Sequence, residues 1–380
     1  MKCQRCGREV EILKCKYCGG LFCRDCISPA NHNCPGISNL LIRKYIKRRR
    51  RNKIILTCVL AVIALFLILN FSILIPKPTP IDLRERLWRY ELSYALEVAL
   101  SSSELSKIDK LAKKLKGRDV KESAWNVLEW EDENIEYDGA KANVSPPVVY
   151  YTRNPYYNVI TDVKVVSDVE NYYQTPYETV KIGKGICSDY AILTAGLLLA
   201  MNFSPVYIFD IYFENEKVGH VATSIKVDGH YFILDQHLPI WDLGRYYDSW
   251  VKKSKYIKNV TVYEVSRGER LAKVRKVCVL TANDLKMDRY KVSPTDLRKI
   301  ESDLLDLFEE RLHLKRDANI QDGKIWSIYY ENSFYHPEFH DMFINHVFEN
   351  VASKVNESSK FWIETELEDK FIVIRIILSK

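Results

Sequence analysis

The sequence predicts a multidomain chain: a small metal-bound knot, one transmembrane helix, and an α+β domain with an α+β C-terminal extension. Three observations carry this. Seven of the ten cysteines fall within the first 34 residues. Ile54 to Ile75 is a run of 22 residues without a charge. Beyond it, helix-period and strand-period apolar patterns alternate around one helix, opening at Cys187, that is apolar on nearly every side. These changes place a knot over 1–36, a basic segment over 37–53, the span over 54–75, a helical linker over 77–118, the main α+β domain over 119–280 and a smaller α+β unit over 281–380.

Charge follows the same divisions. Residues 1–53 hold fourteen Lys/Arg against three Asp/Glu, and the rest holds 42 against 47, so the net +6 hides a mildly acidic larger part. That balance argues against nucleic acid as its partner.

In the knot, the candidate metal ligands are Cys3, Cys6, Cys15, Cys18, Cys23, Cys26, His32 and Cys34. Each C-x-x-C is a turn that aims two sulfurs at one tetrahedral ion, and closed four-ligand sites are structural rather than catalytic. Val10, Ile12, Leu13, Leu21 and Phe22 are too little apolar material for a core. Two structural zinc ions therefore supply the folding free energy. The spacing of Cys18, Cys23, Cys26, His32 and Cys34, with the step Gly20-Leu21-Phe22-Cys23, resembles the zinc finger of the AN-one type. It departs at Cys26, where that family usually has histidine. The resemblance implies a cross-brace, with Cys3, Cys6, Cys23 and Cys26 on one ion and Cys15, Cys18, His32 and Cys34 on the other. Spacing alone also permits sequential sites. The functional reading is a module for a cytoplasmic protein partner; a folded plug without a partner would read the same.

At ~1.5 Å per residue the uncharged run spans the ~30 Å hydrocarbon core of a bilayer. Pro76 and Pro78 stop it. Arg43, Lys44, Lys47, Arg48, Arg49, Arg50, Arg51 and Lys53 precede it, and the charges beyond it are mixed. The positive-inside rule puts residues 1–53 in the cytoplasm and residues 77–380 outside, in a single-pass protein of the cell membrane. The cysteines agree: the zinc-type set falls on the reducing side, and only Cys187 and Cys278 fall outside. The basic run also offers cations to anionic lipid headgroups.

In the outer part, Arg84 to Leu115 reads as helix with a break at Ser101-Ser102-Ser103, and Lys121 to Asn134 as a second helix. Residues 144–176, rich in Tyr, Pro and Asn, read as a long loop with short strands. Strands are expected at Val206–Phe213, Val221–Val227, Tyr231–Asp235, Val260–Val265 and Val274–Leu280, then a helix near 293–316 and a hairpin from Phe361 to Leu378. A helix followed by an antiparallel sheet is an α+β arrangement. His336, His340 and His346 lack a convincing third ligand and read as core or solvated histidines.

The chemistry centres on Gly185-Ile186-Cys187-Ser188-Asp189-Tyr190-Ala191. A cysteine that opens a buried helix sits on unpaired N–H groups and the positive end of the dipole, and both favour thiolate. A thiolate needs a base, and the base needs an orienting partner. His220 and Asp235 are the candidates. Asp228-Gly229 signals a two-residue hairpin turn that pairs Val227 with His230. Counting outward pairs Ala222 with Asp235 and His220 with His237, so His220 and Asp235 share a face as diagonal neighbours.

G-x-C-x-D-Y-A, then a histidine opening a strand and an aspartate closing the next, resembles the transglutaminase-like superfamily of papain-fold cysteine enzymes over residues ~120–245. The resemblance implies Cys187 as nucleophile, His220 as base and Asp235 as orienting acid, acting on amide or peptide bonds by hydrolysis or acyl transfer. The family often has an aromatic two residues after the histidine, here Ala222, and a proline after the aspartate, here Gln236. The expected protein is a membrane-anchored cysteine enzyme with a peptide or protein substrate outside and a zinc-binding module inside. The alternative is an inactive sensor or adaptor whose outer domain binds peptide or wall polymer.

Overall fold

The computed structural model describes residues 1–69, 82–154, 159–352, 355 and 358–379. Residues 70–75 of the expected span and the Pro76–Pro80 spacer lie outside the described residues. The chain divides into two units, Met1–Thr79 and Pro80–Lys380.

In the first unit, strands β1 (Leu13–Lys14) and β2 (Leu21–Phe22) pair antiparallel between the cysteine turns. Phe22 stacks on the His32 ring at 3.9 Å. Pro35 then opens α1 (Pro35–Leu69), a single helix of 35 residues. The basic segment and the start of the apolar run thus share one helix about 52 Å long. It is long and apolar enough to cross a membrane.

The second unit opens with helices α2 (Leu83–Leu87), α3 (Leu92–Ala99), α4 (Ser102–Leu115) and α5 (Val120–Asn134). Strand β3 (Glu136–Tyr137), helix α6 (Gly139–Ala142) and the ribbon β4 (Val148–Arg153) with β5 (Ile160–Val166) follow. Next come α7 (Pro176–Ile182), β6 (Lys184–Gly185) and α8 (Cys187–Ala200). Strands β7 (Val206–Phe213), β8 (His220–Val227), β9 (His230–Asp235) and β10 (His237–Asp242) are followed by α9 (Leu243–Lys252), then β11 (Ile257–Ser266) and β12 (Lys273–Thr281). The C-terminal part holds α10 (Ala282–Met287), α11 (Pro294–Leu312), β13 (Lys315–Arg316), β14 (Lys324–Glu331), α12 (His340–Ala352), β15 (Lys360–Glu368) and β16 (Phe371–Ser379).

The main sheet has six antiparallel strands in the order β10-β9-β8-β7-β11-β12. Its strands obey period two. Val206 and Ile208 face the cluster that contains α8, while Phe209, Ile211 and Phe213 face Tyr246 and Trp250 of α9. Helix α8 is buried from Ser188 through Leu199, as an all-round apolar helix must be. The Thr223 hydroxyl donates to the Ala191 carbonyl at 2.6 Å and ties α8 to β8. The second sheet, ordered β13-β15-β16-β14, carries α11 and α12. Its Phe361, Ile363, Ile374 and Ile376 join the same cluster as α8, so residues 281–380 pack into one core with the preceding domain. Strand β14, the helices α9 and α12 and strand β10 have no counterpart in the sequence reading; their apolar residues are interrupted by charges and prolines that blur the period.

Glu131 of α5 is fully buried against α8, and both its oxygens face the single Thr194 hydroxyl, at 2.8 and 3.0 Å. Burial pushes its carboxyl well above the usual range, outweighing the Thr194 hydrogen bond, and the charge of Asp235 adds to the rise. A group whose folded pKa is raised costs stability once pH climbs past its unfolded value. Glu131→Gln is therefore expected to raise the melting temperature, by more at pH 8 than at pH 5, with a gain of about 1–3 kcal/mol at the higher pH. Thermal melts of the two chains across pH check it.

Candidate active site

Local chain chemistry brings Cys187 to the head of α8. Thr175 opens α7 with a reciprocal capping box to Glu178, with Pro176 at the first helical position. Gly183 closes α7 at φ +71°, in the left-handed region, which lets the chain turn through the short β6 into α8. Cys187 is the first residue of α8 and only half-buried, where the helix leaves the core.

The sheet supplies the other two groups. Asp228 and Gly229 take φ of +48° and +92°, the conformation of a tight hairpin turn, and Val227 pairs with His230. The ladder runs outward to Thr223 opposite Leu234, which puts His220, Ala222 and Asp235 on one face. His220 Nε2 lies 3.0 and 2.9 Å from the two Asp235 oxygens. The pairing of His220 with His237 is corrected by the structure. Gln236 takes φ +67° and reverses the chain, so His237 pairs with Asp235 across the turn and its ring is exposed, with Nδ1 3.1 Å from the Leu238 carbonyl. Proline, locked near φ −65°, could not occupy that position, which accounts for the departure at Gln236. The missing aromatic at Ala222 also has a counterpart: Trp250 of α9 meets the His220 ring edge-on at 4.8 Å.

Cys187 and His220 both line a cleft of about 710 Å³ walled by Tyr137, Tyr172, Tyr173 and Trp250. Burial acts to lower the His220 pKa, but the charges of Asp235 and then Cys187 outweigh it and hold it up to about 10. Burial likewise acts to raise Asp235, but the His220 charge and the hydrogen bonds from His220 and Tyr246 keep its carboxyl below the usual range. With Nε2 bound to Asp235, Nδ1 is the nitrogen left to exchange a proton with the thiol. The arrangement can therefore move a proton between sulfur and imidazole while a carboxylate holds the ring.

Two contributors were not found by sequence reasoning. Tyr246 donates its hydroxyl to Asp235 Oδ2 at 2.9 Å, from a helix whose approach is set by tertiary packing. Asp189, read only as part of the motif, is fully buried, and Lys141 Nζ lies 2.5 Å from its Oδ2. Lys141 carries no sequence signal, because a lone lysine reads as surface. His340 packs between Asp303 at 2.7 Å and the Tyr335 hydroxyl at 3.0 Å, and His346 faces Glu129 at 3.0 Å, as core histidines.

In the N-terminal unit the ligand atoms gather as two groups able to hold a metal ion: Cys3, Cys6, Cys23 and Cys26, and Cys15, Cys18, His32 and Cys34. The sequential alternative is thereby excluded. Cys6 and Cys23 sulfurs stand 3.8 Å apart, as do those of Cys15 and Cys34. A tetrahedral ion with metal–sulfur bonds of about 2.3 Å requires a sulfur–sulfur edge of about 3.8 Å. His32 Nδ1 faces the Cys26 carbonyl at 2.9 Å, which turns Nε2 toward Cys18, 3.5 Å away. The donor set thus fits the group.

The class of the second unit follows: residues 106–263, an α+β region, match the family model described as a transglutaminase-like domain. The chain belongs to the UPF0252 family. It is 33% identical over 305 residues to a UPF0252 protein of Archaeoglobus fulgidus, spanning 77% of this chain and 89% of that one. It is 29% identical over 289 residues to a UPF0252 protein of Pyrococcus horikoshii, spanning 71% and 83%. Among solved structures it is similar to Legionella pneumophila LapG, with a TM-score of 0.26 and 15% identity over 48% of this chain and 85% of that one.

The paired shifts define a stability window. His220 is raised in the folded state to about 10, so its contribution is full below its unfolded value of about 6.5 and is lost as pH rises toward 10. Asp235 is lowered, so its contribution is present above its unfolded value of about 4 and is lost as pH falls. Stability from this pair is expected to be greatest between about pH 4 and 6.5. Asp235→Asn should cost about 3–5 kcal/mol there, by leaving the buried His220 without its counter-charge, and less toward pH 10. Melting of both chains over pH 3–10 (about the span of the two shifts) checks it.

Proposed function

We propose that the protein is a membrane-anchored cysteine enzyme of the transglutaminase-like class, acting on amide or peptide bonds outside the membrane. The observation that carries this is His220, clasped by both Asp235 oxygens at 2.9 and 3.0 Å in the same cleft as Cys187 at the helix head. In this reading the Cys187 thiolate attacks the amide carbonyl carbon and forms a carbon–sulfur bond. The Cys187 N–H at the start of α8 steadies the oxyanion. The carbon–nitrogen bond then breaks as His220 returns its proton to the departing amine. Water takes the thioester in hydrolysis, with His220 as base; an amine takes it in acyl transfer. Asp235 holds the ring throughout. Hydrolysis is the favoured outcome, since water is the default acceptor at an external site.

Helix α1 is the anchor, with the basic stretch Arg43 to Lys53 on the cytoplasmic side. The knot binds two structural zinc ions, one in each four-ligand group, and serves as an interaction module for a cytoplasmic protein.

Two measurements test these readings in the full chain. The first follows alkylation of the Cys187 peptide by mass spectrometry across pH, with His220→Ala alongside. Labelling well below pH 8 that disappears with His220 supports the enzyme and justifies a screen of amide substrates. Labelling like an ordinary thiol, indifferent to His220, overturns it in favour of a binding domain. In the second, metal analysis is expected to find two zinc ions per chain. Chelation should make the knot protease-sensitive while leaving the melting of the second unit unchanged. A knot that resists proteolysis after complete metal removal would sink the structural-zinc assignment.

A further inference from the structure

Asp189 sits two residues after Cys187 on α8 and none of it reaches solvent. An anion there opposes a thiolate at the same helix head. Its surroundings are built to offset it. Lys141 of α6, also buried, lies 2.5 Å from Oδ2. The Ile186 N–H donates to Oδ2 at 3.0 Å and the Gln174 N–H donates to Oδ1 at 2.9 Å. One carboxylate therefore joins four pieces of chain around the cysteine: α6, the segment after Tyr172 and Tyr173, the turn into α8, and α8 itself. Gly185 belongs to the same arrangement, since a Cβ there would come within 2.8 Å of the Asp189 Cβ. Tyr172 and Tyr173, held by this clamp, line the cleft beside Cys187, and the Lys141 ammonium lies 5.9 Å from the centre of the Tyr172 ring.

We propose that Lys141 and Asp189 form a positioning pair whose opposed charges set how readily Cys187 ionises, with Lys141 cancelling the anion that the clamp places at the head of α8. The inference rests on Cys187 being the nucleophile. The other titratable groups facing the thiol are His220, with Asp235 and Tyr246 behind it, and Tyr137, Tyr172 and Tyr173 on the walls, while Glu91, Asp210, Lys217 and Lys255 line the same cleft. His220 is the partner that takes the proton; the tyrosines are neutral at neutral pH. The buried pair, at the head of α8 itself, can have its charge altered without touching the Cys187–His220–Asp235 set.

Its test is the midpoint of Cys187 alkylation against pH in the full chain, read on the Cys187 peptide. Lys141→Met leaves Asp189 uncompensated and is expected to move the midpoint up by roughly one pH unit, about tenfold less thiolate at fixed pH. Asp189→Asn leaves Lys141 uncompensated and is expected to move it down by a similar amount. The double variant Lys141→Met with Asp189→Asn carries neither charge and should return near the wild-type midpoint, and Lys141→Arg should hold it. Opposite signs that cancel are the signature of charge; a merely structural role would degrade both single variants in the same direction. If a single variant fails to fold, the double variant and Lys141→Arg still decide, because a double variant that folds and shifts by a full unit overturns the proposal. So do single variants that fold and leave the midpoint in place while the wild-type thiol is activated by His220. A wild-type thiol that ignores His220 is a different result: it overturns the enzyme reading itself.

Discussion

Everything in the larger unit depends on burying α8. A helix apolar on all sides must be covered on all sides, and the chain does this with the main sheet on one side and the α3–α5 and α7 helices on the others. At the head of the helix Cys187 alone emerges, because it and the cleft lie where the covering layers end. The polar groups of the first turn are cut off from water, and apart from the Ser188 hydroxyl they take partners from the protein. Asp189 finds Lys141 and two backbone N–H groups, the Tyr190 hydroxyl donates to the Ile135 carbonyl at 2.5 Å, and the Thr223 hydroxyl from β8 donates to Ala191. The rigidity of the cysteine's setting follows from satisfying these groups.

The histidine and aspartate obey a different constraint, the alternation of a pleated strand. Both lie on the sheet face turned away from the body of α8 and toward α9, which is why Tyr246 and Trp250 close over them. The cysteine reaches them from the end of its helix rather than from its side. That geometry leaves His220 buried yet charged by its neighbours, with Nε2 committed to Asp235. The reversal at Gln236 ends the strand immediately after the aspartate, so the carboxylate sits at the end of β9 beside the turn into β10.

The N-terminal unit is organised by ligands instead of by a core. Phe22 stacks on His32, with Ile12, Ile27 and Ile37 packed against the same small cluster, and the eight ligand atoms gather at spacings an ion of tetrahedral preference would impose. Helix α1 leaves it directly at Pro35, and the basic turns and the apolar turns then share one continuous rod.

The sequence by itself determined what depends on neighbours along the chain. The C-x-x-C turns, the uncharged run, the strand limits of β7, the Asp228-Gly229 turn and the shared face of His220 and Asp235 all follow from local periodicity and turn chemistry. That is why Cys187, His220 and Asp235 stand out along the chain, whereas the cross-brace grouping was implied only by the family resemblance, since spacing alone also permits sequential sites. The tertiary structure decided what depends on distant segments meeting. It placed Lys141, 48 residues from Asp189, inside the core as a counter-charge. It brought Tyr246 onto Asp235 and Trp250 onto His220, and it folded residues 281–380 into the core of α8. A buried lysine or an orienting tyrosine has no period and no spacing to betray it; its role exists only once the low-dielectric interior makes an unpaired charge expensive.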